Sequence, residues 1–432
     1  MDLTVPPTVF HAGPGLVSCS PRLGAWGASG TWLTDDAAAA ADLEQLAGLR
    51  LDALSGVDDH DGGVDRGEHA VGVLAEVVVA RRVDERHAAA LQFELERERV
   101  LNKTWLIAGR TEDIPNAGDF ISFESHGETV VITRQPDGAV LGFHNVCQHR
   151  GPSFVTEWKG CGAKKFTCPY HGWTYDTTGK VTSVPERIDF DPDHLRDLRA
   201  PAIKVDEWGG FLWVNISGDA VPLREWIGED IINDLGEYHM EDMRVLDIVE
   251  WDVPVSYKAV VDGFNEVYHA IELHHVGADW QKAARGLTMH VVNDHNYLCY
   301  VPRHQYLEQL AETWDHHKYA ICHYVVFPNT VFNCNPDHIQ VFNLIPIEVD
   351  RTRFLCWQLY YPGDAADADY AVYYDRMMAH WKVLQGVVGE DISIYEQLKR
   401  TKRSSGYTEH RLNSREFKLH HYHNTMAEMI KD

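Results

Sequence analysis

The chain has 432 residues, of which 44% are hydrophobic and 24% charged, a composition typical of a globular protein long enough for two domains. No apolar run approaches the ~18–20 residues that cross a bilayer, and the amino terminus lacks the pattern of a secretory signal, which predicts a soluble, cytoplasmic protein without a membrane segment. The net charge of −26 argues against nucleic acid as a partner, because phosphates require a basic surface.

The first 88 residues differ from the rest of the chain in composition. They are rich in Ala, Gly, Asp and Val and contain turn-prone stretches such as "DDHDGGVDRG". No methionine occurs between Met1 and Met240, so an ATG start inside this stretch is impossible. We hypothesise that residues 1–88 are a disordered extension, or that they result from a start codon placed too far upstream.

The remaining chain divides into two predicted domains. Over 89–218, a leading helical pattern is followed by short β-like runs separated by turn signals, including the hairpin turn at Gln135–Ala139, and this predicts an all-β domain. Over 219–432, helical patterns near Trp226–Tyr238 and Val261–Leu273 precede a second set of strands and long closing helices. The fold class is therefore predicted to be α+β, with an antiparallel sheet flanked by helices in the second domain.

The strongest metal-binding pattern lies in "CQHRGPSFVTEWKGCGAKKFTCPYHGWTYD". It contains Cys147-x-His149, then eighteen residues, then Cys168-x2-His171. Two thiolates and two imidazoles favour a [2Fe–2S] cluster in which the thiolates bind one iron and the imidazoles the other. A structural zinc site is the alternative, but zinc sites favour Cys-x2–4-Cys and His-x3–5-His spacing. The pattern resembles the Rieske ferredoxin motif, and the flanking strands suit a Rieske β-fold.

A second candidate metal site lies in "VDGFNEVYHAIELHH", which begins at Val261. On an ideal helix Asp262, Glu266 and His269 share one face. His269 and His274 are five residues apart, about 140° around a helix, so both can bind one metal only if the helix ends or bends between them. The HExxH motif of zinc metalloproteases is absent.

The spacing Glu-x2-His-x4-His, together with the first motif, resembles the Rieske non-haem iron oxygenases, the α subunits of ring-hydroxylating and dealkylating oxygenases. The resemblance runs from about residue 94 to the carboxyl terminus and excludes the first 80-odd residues. It implies a facial triad on a mononuclear Fe(II), formed by His269, His274 and the distant Asp391 in "VVGEDISIYEQLKR". Positions left open on the iron would take O₂ as co-substrate.

The resemblance also implies roles for two further carboxylates. Glu266 matches the bridging carboxylate that lies between an iron-site histidine of one subunit and a cluster histidine of its neighbour. Asp262 stands near the iron, where many relatives have Asn, and relatives more often have Asp than Glu at position 266. Glu390 and Glu396 are less favoured alternatives to the carboxylate ligand.

The function implied by the resemblance is that of a terminal oxygenase, a mono- or dioxygenase. Electrons from NAD(P)H would arrive through a reductase or a ferredoxin, enter the [2Fe–2S] cluster and reach the iron of a neighbouring subunit. The oxygenase would hydroxylate an apolar aromatic compound, such as a xenobiotic, or oxidatively remove an N- or O-alkyl group. Electron transfer between neighbours implies a homotrimer, or an α3β3 assembly with a small subunit.

Several alternatives remain open at the level of the sequence. Within the family, the substrate could be a quaternary amine such as a betaine, held in an aromatic cage and demethylated. Outside the family, the chain could be an electron-transfer Rieske protein with a degenerate second site, or a zinc hydrolase. A carboxylated substrate is not specifically indicated, since the nearest arginines to the iron motif are Arg285 and Arg303. The residues expected either to form an apolar pocket wall or to be ordinary core are Phe327, Phe332, Phe342, Trp357 and Tyr361.

Overall fold

The computed structural model describes residues 88–275, 288–291, 293, 295–303, 308, 312–313, 315–364, 366–402, 404–407, 409–413 and 416–431. The predicted extension over 1–88 therefore lies outside the described residues, apart from its last position. Within these described ranges, no helix combines the length and the apolar character needed to cross a membrane.

The first sheet of the chain has seven strands in the order β1-β10-β9-β4-β3-β2-β5, and its neighbouring strands pair antiparallel. A helix, α1 (88–96), and a π-helical turn at Arg97–Leu101 precede it. The strands are β1 (Leu106–Arg110), β2 (Phe120–Ser125), β3 (Glu128–Arg134), β4 (Val140–His144), β5 (Lys159–Gly160), β9 (Ala202–Trp208) and β10 (Phe211–Asn215).

A small three-stranded antiparallel sheet is inserted between β5 and β9. It consists of β6 (Lys165–Thr167), β7 (Thr174–Asp176) and β8 (Val181–Ser183). Its apolar side chains pack with those of the neighbouring segment into one buried cluster that includes Phe154, Phe166 and Tyr175. Two loops, one after β4 and one between β6 and β7, lie beside this cluster and carry the Cys and His residues of the first motif.

The second sheet also has seven strands, in the order β11-β17-β16-β15-β14-β13-β12, and its pairs are antiparallel. Cys299, Cys322, Cys334 and Cys356 are buried in it with free thiols, as expected for packing residues. The strands are β11 (Arg244–Val253), β12 (Thr288–Val291), β13 (Tyr297–Pro302), β14 (Ala320–Val326), β15 (Thr330–Asn335), β16 (His338–Glu348) and β17 (Arg351–Tyr360). The predicted α+β class with an antiparallel catalytic sheet is confirmed.

Helices flank the second sheet in sequence. They are α2 (Leu223–Ile227), α3 (Glu229–Gly236), α4 (Tyr257–Phe264), α5 (Ala270–Leu273), α6 (His316–Tyr319), α7 (Ala368–Thr401) and α8 (Phe417–Lys431). The expected helical stretch at Trp226–Tyr238 is interrupted at Gly228, whose φ of +90° separates α2 from α3.

The expectation of one helix over Val261–Leu273 is wrong. Helix α4 ends at Phe264, and the next five residues are not helical before the single turn of α5. Asp262 therefore lies on α4, whereas Glu266 lies in the connecting segment. One break precedes His269, and α5 then ends at Leu273, between the two histidines, as binding of one metal by both was expected to require. His269 and His274 stand at the two ends of α5.

Buried polar side chains join the first sheet to the part of the chain that contains the second sheet. The guanidinium of Arg110, at the end of β1, donates to the backbone oxygens of Met240 and Met243 at 3.2 and 3.1 Å. The amide of Asn343, on β16, donates to the backbone oxygen of Ile107 on β1 at 2.9 Å. Because these side chains are buried, breaking their hydrogen bonds would leave unsatisfied polar groups in the interior.

Candidate metal centres

The first motif forms a compact group of two thiols and two imidazoles. The thiols of Cys147 and Cys168 are buried and interact with each other. The Nδ1 atoms of His149 and His171 lie 3.1 Å apart. Two ligand atoms that bind the same metal ion at about 2.1 Å lie about 3.0–3.4 Å apart when the ligand–metal–ligand angle is near 90–109°. The pair of Nδ1 atoms therefore fits one iron of a [2Fe–2S] cluster, and the thiols fit the other.

Tight turns hold the two ligand pairs. Gly151 and Gly172 have φ values of +87° and +73°, a region that side chains with a Cβ rarely adopt. Their amides donate to the backbone oxygens of Cys147 and Cys168 at 2.8 and 3.0 Å. The backbone conformation therefore requires the glycine in each of the "RG" and "HG" pairs. The two turns bring each histidine close to its partner cysteine.

Neighbouring side chains set the electrostatics of this group. Burial raises the pKa of the Cys147 thiol, and the hydroxyl of Tyr175, which donates to Cys147 Sγ at 3.2 Å, opposes this rise. Burial and the nearby His171 ring lower the pKa of His149, so its ring is neutral, as iron ligation requires. The His149 ring also stacks on Trp173 with 5.0 Å between the ring centroids.

The second motif and the distant acidic helix meet in a triangle of ligand atoms. His269 Nε2 and His274 Nε2 are 3.2 Å apart. Asp391 Oδ1, on α7, lies 3.5 Å from the first and 3.3 Å from the second. These separations match three ligands on one face of a single metal ion. The assignment of His269, His274 and Asp391 as iron ligands remains a prediction, which this geometry supports.

Each of the two histidines has a carboxylate on its other ring nitrogen. Glu266 Oε1 contacts His269 Nδ1, and Glu390 Oε2 lies 2.7 Å from His274 Nδ1. These contacts favour the tautomer with the proton on Nδ1, so both Nε2 atoms are left to bind a metal. Burial lowers the pKa of His269, but the hydrogen bond with Glu266 and the negative charges of Glu266 and Asp391 together outweigh it and leave the pKa raised.

The position of Glu390 corrects its sequence-based interpretation as an alternative ligand. It does not belong to the triangle, since its carboxylate faces the outer nitrogen of His274. Asp391 follows it directly on α7, and side chains one residue apart on a helix point about 100° away from each other. The two adjacent carboxylates can therefore reach opposite sides of one imidazole, a relation that spacing alone did not reveal. Glu396 is exposed on the same helix.

Asp262 does not reach the triangle of ligand atoms. Its two oxygens accept from His423 Nε2, on α8, at 2.8 and 3.0 Å. The pair ties the carboxyl-terminal helix to α4. A direct role of Asp262 near the iron remains a prediction, and the contact seen here is a connection between two helices.

A second group of metal-ligating residue types lies elsewhere in the catalytic part. Asp234 Oδ1 is 2.8 Å from His316 Nε2 and 3.3 Å from His317 Nε2. The other oxygen of Asp234 accepts from the hydroxyls of Tyr324 and Tyr300 at 2.7 and 3.2 Å. With all of these donors the carboxylate is fully hydrogen-bonded, so we interpret the group as a structural network. Burial raises the pKa of Asp234, but the hydrogen bonds from both histidines and Tyr324 outweigh it and hold the pKa below its usual value.

The five aromatic residues that were expected either at a pocket wall or in the core lie in or against the core. Four of them are almost completely buried, and the hydroxyl of the fifth, Tyr361, donates to the backbone oxygen of Tyr238 at 2.6 Å. Phe342 packs on Phe264, with 4.7 Å between the ring centroids. The cavity found beside α4 is lined by other residues, among them Phe264 and Lys418, which sequence reasoning did not single out.

Comparisons with known proteins agree with this arrangement. Residues 104–191 match the Rieske [2Fe-2S] domain, and residues 240–432 match the catalytic domain of the ring hydroxylating alpha subunit. The chain is 32% identical over 217 residues to biphenyl 2,3-dioxygenase subunit alpha of Rhodococcus jostii, covering 47% of this chain and 46% of that protein. It is 24% identical over 357 residues to the carnitine monooxygenase oxygenase subunit of Escherichia coli K12, covering 79% of this chain and 91% of that protein.

Solved structures share the fold. A quaternary ammonium Rieske monooxygenase in complex with gamma-butyrobetaine has a TM-score of 0.62 at 21% identity, covering 79% of this chain and 92% of that one. Naphthalene 1,2-dioxygenase from Rhodococcus sp. bound to indole has a TM-score of 0.60 at 18% identity, covering 78% and 91%. At such identities the likeness shows the fold alone.

The fold and the matched domains define a two-domain iron protein, in which a Rieske domain precedes a mononuclear iron domain. The chain belongs to the Rieske oxygenase α subunits. The two domains of this family imply a Rieske [2Fe–2S] cluster and a mononuclear iron that uses O₂. The match spans somewhat less than half the length of the biphenyl and benzene dioxygenase α subunits.

Proposed function

We propose that the chain is the terminal oxygenase of a multicomponent Rieske oxygenase that oxidises a small organic molecule with O₂. The observation that carries this proposal is the presence, in one chain, of a Cys2His2 group and a separate triangle of two histidines and one carboxylate. A triad on one face leaves the opposite positions of an iron open for O₂, which a structural zinc site does not. A carrier of electrons alone would not need the second group.

The residues have distinct roles in this proposal. Cys147, His149, Cys168 and His171 hold the cluster, and His269, His274 and Asp391 hold the iron. When bound, the cluster supplies single electrons and the iron activates O₂. Electrons come from NAD(P)H through a reductase or a ferredoxin, and such partners make a cytoplasmic location the expected one.

Glu266 is proposed to connect the iron site of one subunit to the cluster of its neighbour. Its carboxylate contacts His269 Nδ1 and retains acceptor capacity for a second imidazole. Tyr170, next to cluster ligand His171, is 57% exposed, and Tyr268, next to His269, is 52% exposed. Large aromatic side chains beside both centres suit a contact between subunits. We therefore propose a cyclic homotrimer, with or without a small second subunit.

The proposed reaction is hydroxylation, or N- or O-dealkylation, of an aromatic compound. Hydroxylation of a carbon next to N or O gives an unstable product that loses the alkyl group, so one site can perform both reactions. Demethylation of a quaternary amine is the second candidate. It is favoured by the match to the carnitine monooxygenase oxygenase subunit, which extends over 91% of that protein.

Metal analysis and spectroscopy of the purified protein test this proposal. We expect roughly three irons per chain, two in the cluster and one at the triad, and a Rieske signal in the electron paramagnetic resonance spectrum after reduction by dithionite. With a surrogate reductase, a substrate should stimulate O₂ uptake in the wild type. Asp391→Ala should lose the single iron and the O₂ uptake but keep the cluster signal. Zinc in place of iron would contradict the proposal.

A further inference from the structure

A cavity of about 190 Å³ lies beside the iron-binding segment. Phe264, the last residue of α4, and Val267, which follows Glu266 directly, both line it. Side chains of β13, β14 and β15 and the first turn of α8 line its other sides. Three of the five strand residues are apolar, and the other two are His323 and Asn333. Since Val267 precedes His269 by two residues, the cavity adjoins the segment that carries the iron ligands.

One side chain of this cavity is a buried lysine. Lys418, on α8, is 1% exposed, and its Nζ contacts Cys299 Sγ at 3.5 Å. Across the part of the chain that the structure describes, no carboxylate lies within ion-pair distance of Lys418 Nζ. Burying an ammonium group is unfavourable unless an anion compensates it. A bound anion would supply that compensation.

A second buried polar group of the cavity belongs to the His323 ring. His323 Nδ1, on β14, is buried without a hydrogen bond among the described residues. Burial and the neighbouring Lys418 lower the pKa of His323, so its ring is neutral. A neutral ring can donate from Nδ1 to an anionic oxygen without adding a second charge to the cavity.

We propose that this cavity is the substrate site and that it selects an organic acid, whose carboxylate pairs with Lys418 and His323. The apolar body of the acid then lies against Phe264 and Val267, next to the iron-binding segment. The inference rests on the proposed function and narrows its substrate class. An aromatic cage for a quaternary ammonium group would place that cation beside Lys418, and among the described lining residues Phe264 is the one aromatic carbocycle. A carboxylate, in contrast, complements the site.

Calorimetric titration of the full-length holoenzyme with matched ligand pairs tests this inference. The probes are benzoate with benzamide and butyrate with butyramide, because each pair differs in charge more than in shape. In the wild type, at least one acid should bind at least about tenfold more tightly than its amide. Lys418→Met should lose this preference, whereas Lys418→Arg should keep it. Lys431→Met, at an exposed position of the same helix, is the matched control and should behave as the wild type.

Thermal unfolding monitors the fold of these variants. Without ligand, Lys418→Met should unfold at a temperature equal to or above that of the wild type, because an uncompensated buried charge is removed. Acids should raise the unfolding temperature of the wild type but not that of Lys418→Met. Equal affinity for each acid and its amide, or an acid preference that survives Lys418→Met, would overturn the inference. So would an acid preference lost equally in Lys431→Met.

Turnover separates this inference from the proposed function. O₂ uptake is measured with a panel of aromatic and aliphatic acids and their methyl esters, in the wild type and in Asp391→Ala. Uptake that depends on Asp391 but is supported by esters rather than acids would refute the acid site and leave the oxygenase standing. The opposite outcome is acid binding that requires Lys418 in a protein that has zinc at the triad and takes up no O₂. That result would support the anion site and refute the oxygenase.

Discussion

The single side chain of Glu390 orients the imidazole ring of His274. Its carboxylate lies 2.7 Å from His274 Nδ1 and is about half exposed. We predict that Glu390→Ala lowers the affinity for Fe(II) about 10- to 100-fold, because His274 loses the partner that fixes its tautomer. Glu390→Gln should cost less, since its amide oxygen can still accept a hydrogen bond. Iron titration of the apoprotein checks this, and an unchanged affinity in Glu390→Ala would contradict it.

Tyr175 is predicted to tune the cluster. Its hydroxyl donates to Cys147 Sγ at 3.2 Å, and a hydrogen bond to a ligating sulfur stabilises the reduced, more negative cluster. Tyr175→Phe removes the hydroxyl and should lower the reduction potential. A hydrogen bond of about 1 kcal/mol corresponds to about 40 mV for one electron. A redox titration monitored by circular dichroism measures the shift in reduction potential. Tyr170→Phe, at an exposed position, is the control and should leave the potential unchanged.

At the scale of elements, α4 and α7 are in close contact where the iron ligands converge. A methyl group on Gly263 of α4 would collide with the hydroxyl of Tyr395, one helical turn after Asp391 on α7. We predict that Gly263→Ala destabilises the protein by about 1–3 kcal/mol, since overpacking forces the helices apart. It should also lower the iron content while the cluster remains.

Gly386, on the same helix α7, provides the matched control for that substitution. An added methyl group there meets nothing within 4 Å. Gly386→Ala should therefore keep full iron content and gain up to about 1 kcal/mol of stability from its higher helix propensity. Thermal unfolding and metal analysis of both variants check the pair. Equal iron content in the two would indicate that the contact between α4 and α7 does not position Asp391.

The contact between α3 and α6 is predicted to make stability depend on pH. His317 Nε2 lies 3.0 Å from the backbone oxygen of Asp234. Burial lowers the pKa of His317, but the hydrogen bonds with Asp234 and the negative charges of Asp234 and Glu237 together outweigh it and raise the pKa above 6.5. The folded state then holds this proton more tightly than the unfolded state. The contribution of this proton to the free energy of unfolding is fully present below pH 6.5. It is lost as the pH rises through the pKa of His317 in the folded state.

His317→Gln should therefore flatten the decline in stability above neutral pH. The effect is on the order of 1 kcal/mol, the size of one hydrogen bond. Unfolding temperatures at several pH values from about 6 to 9 measure it, with His239→Gln, at an exposed position, as the control. A variant as pH-dependent as the wild type would show that His317 does not hold the proton.

The order and type of the elements were largely predictable from the sequence, because strand alternation and metal-ligand spacing are local signals. The four cluster residues and the triad candidates lie in such motifs. The break after Phe264 was not predicted, because the helical spacing of Asp262, Glu266 and His269 runs through it in the sequence. Lys418 and the outer-nitrogen role of Glu390 were missed because each depends on residues more than a hundred positions away in the chain.

At the scale of the whole molecule, the proposed transfer between subunits has a direct test. His171→Ala removes a cluster ligand, and Asp391→Ala removes an iron ligand. Each variant alone should be inactive. Coexpressed, they should form mixed assemblies in which a cluster of one chain serves the iron of its neighbour, giving roughly a quarter of the wild-type rate by random assembly.

Light scattering should confirm that these mixed assemblies have the mass of a trimer, or of a trimer with bound small subunits. Separately purified variants combined without subunit exchange are the control and should stay inactive. Verified mixed assemblies without turnover would contradict transfer between chains.

The buried hydrogen bonds of Arg110 and Asn343 have a consequence for the timing of catalysis. They join the first sheet to the later part of the same chain in its interior, and they oppose a change in the separation of the two metal-binding groups of one chain. A mobile carrier domain, which would collect an electron in one position and deliver it in another, requires a hinge that these contacts oppose. With electrons passing between chains as proposed above, we expect the timing of their delivery to be set at the iron site, for example by the arrival of substrate.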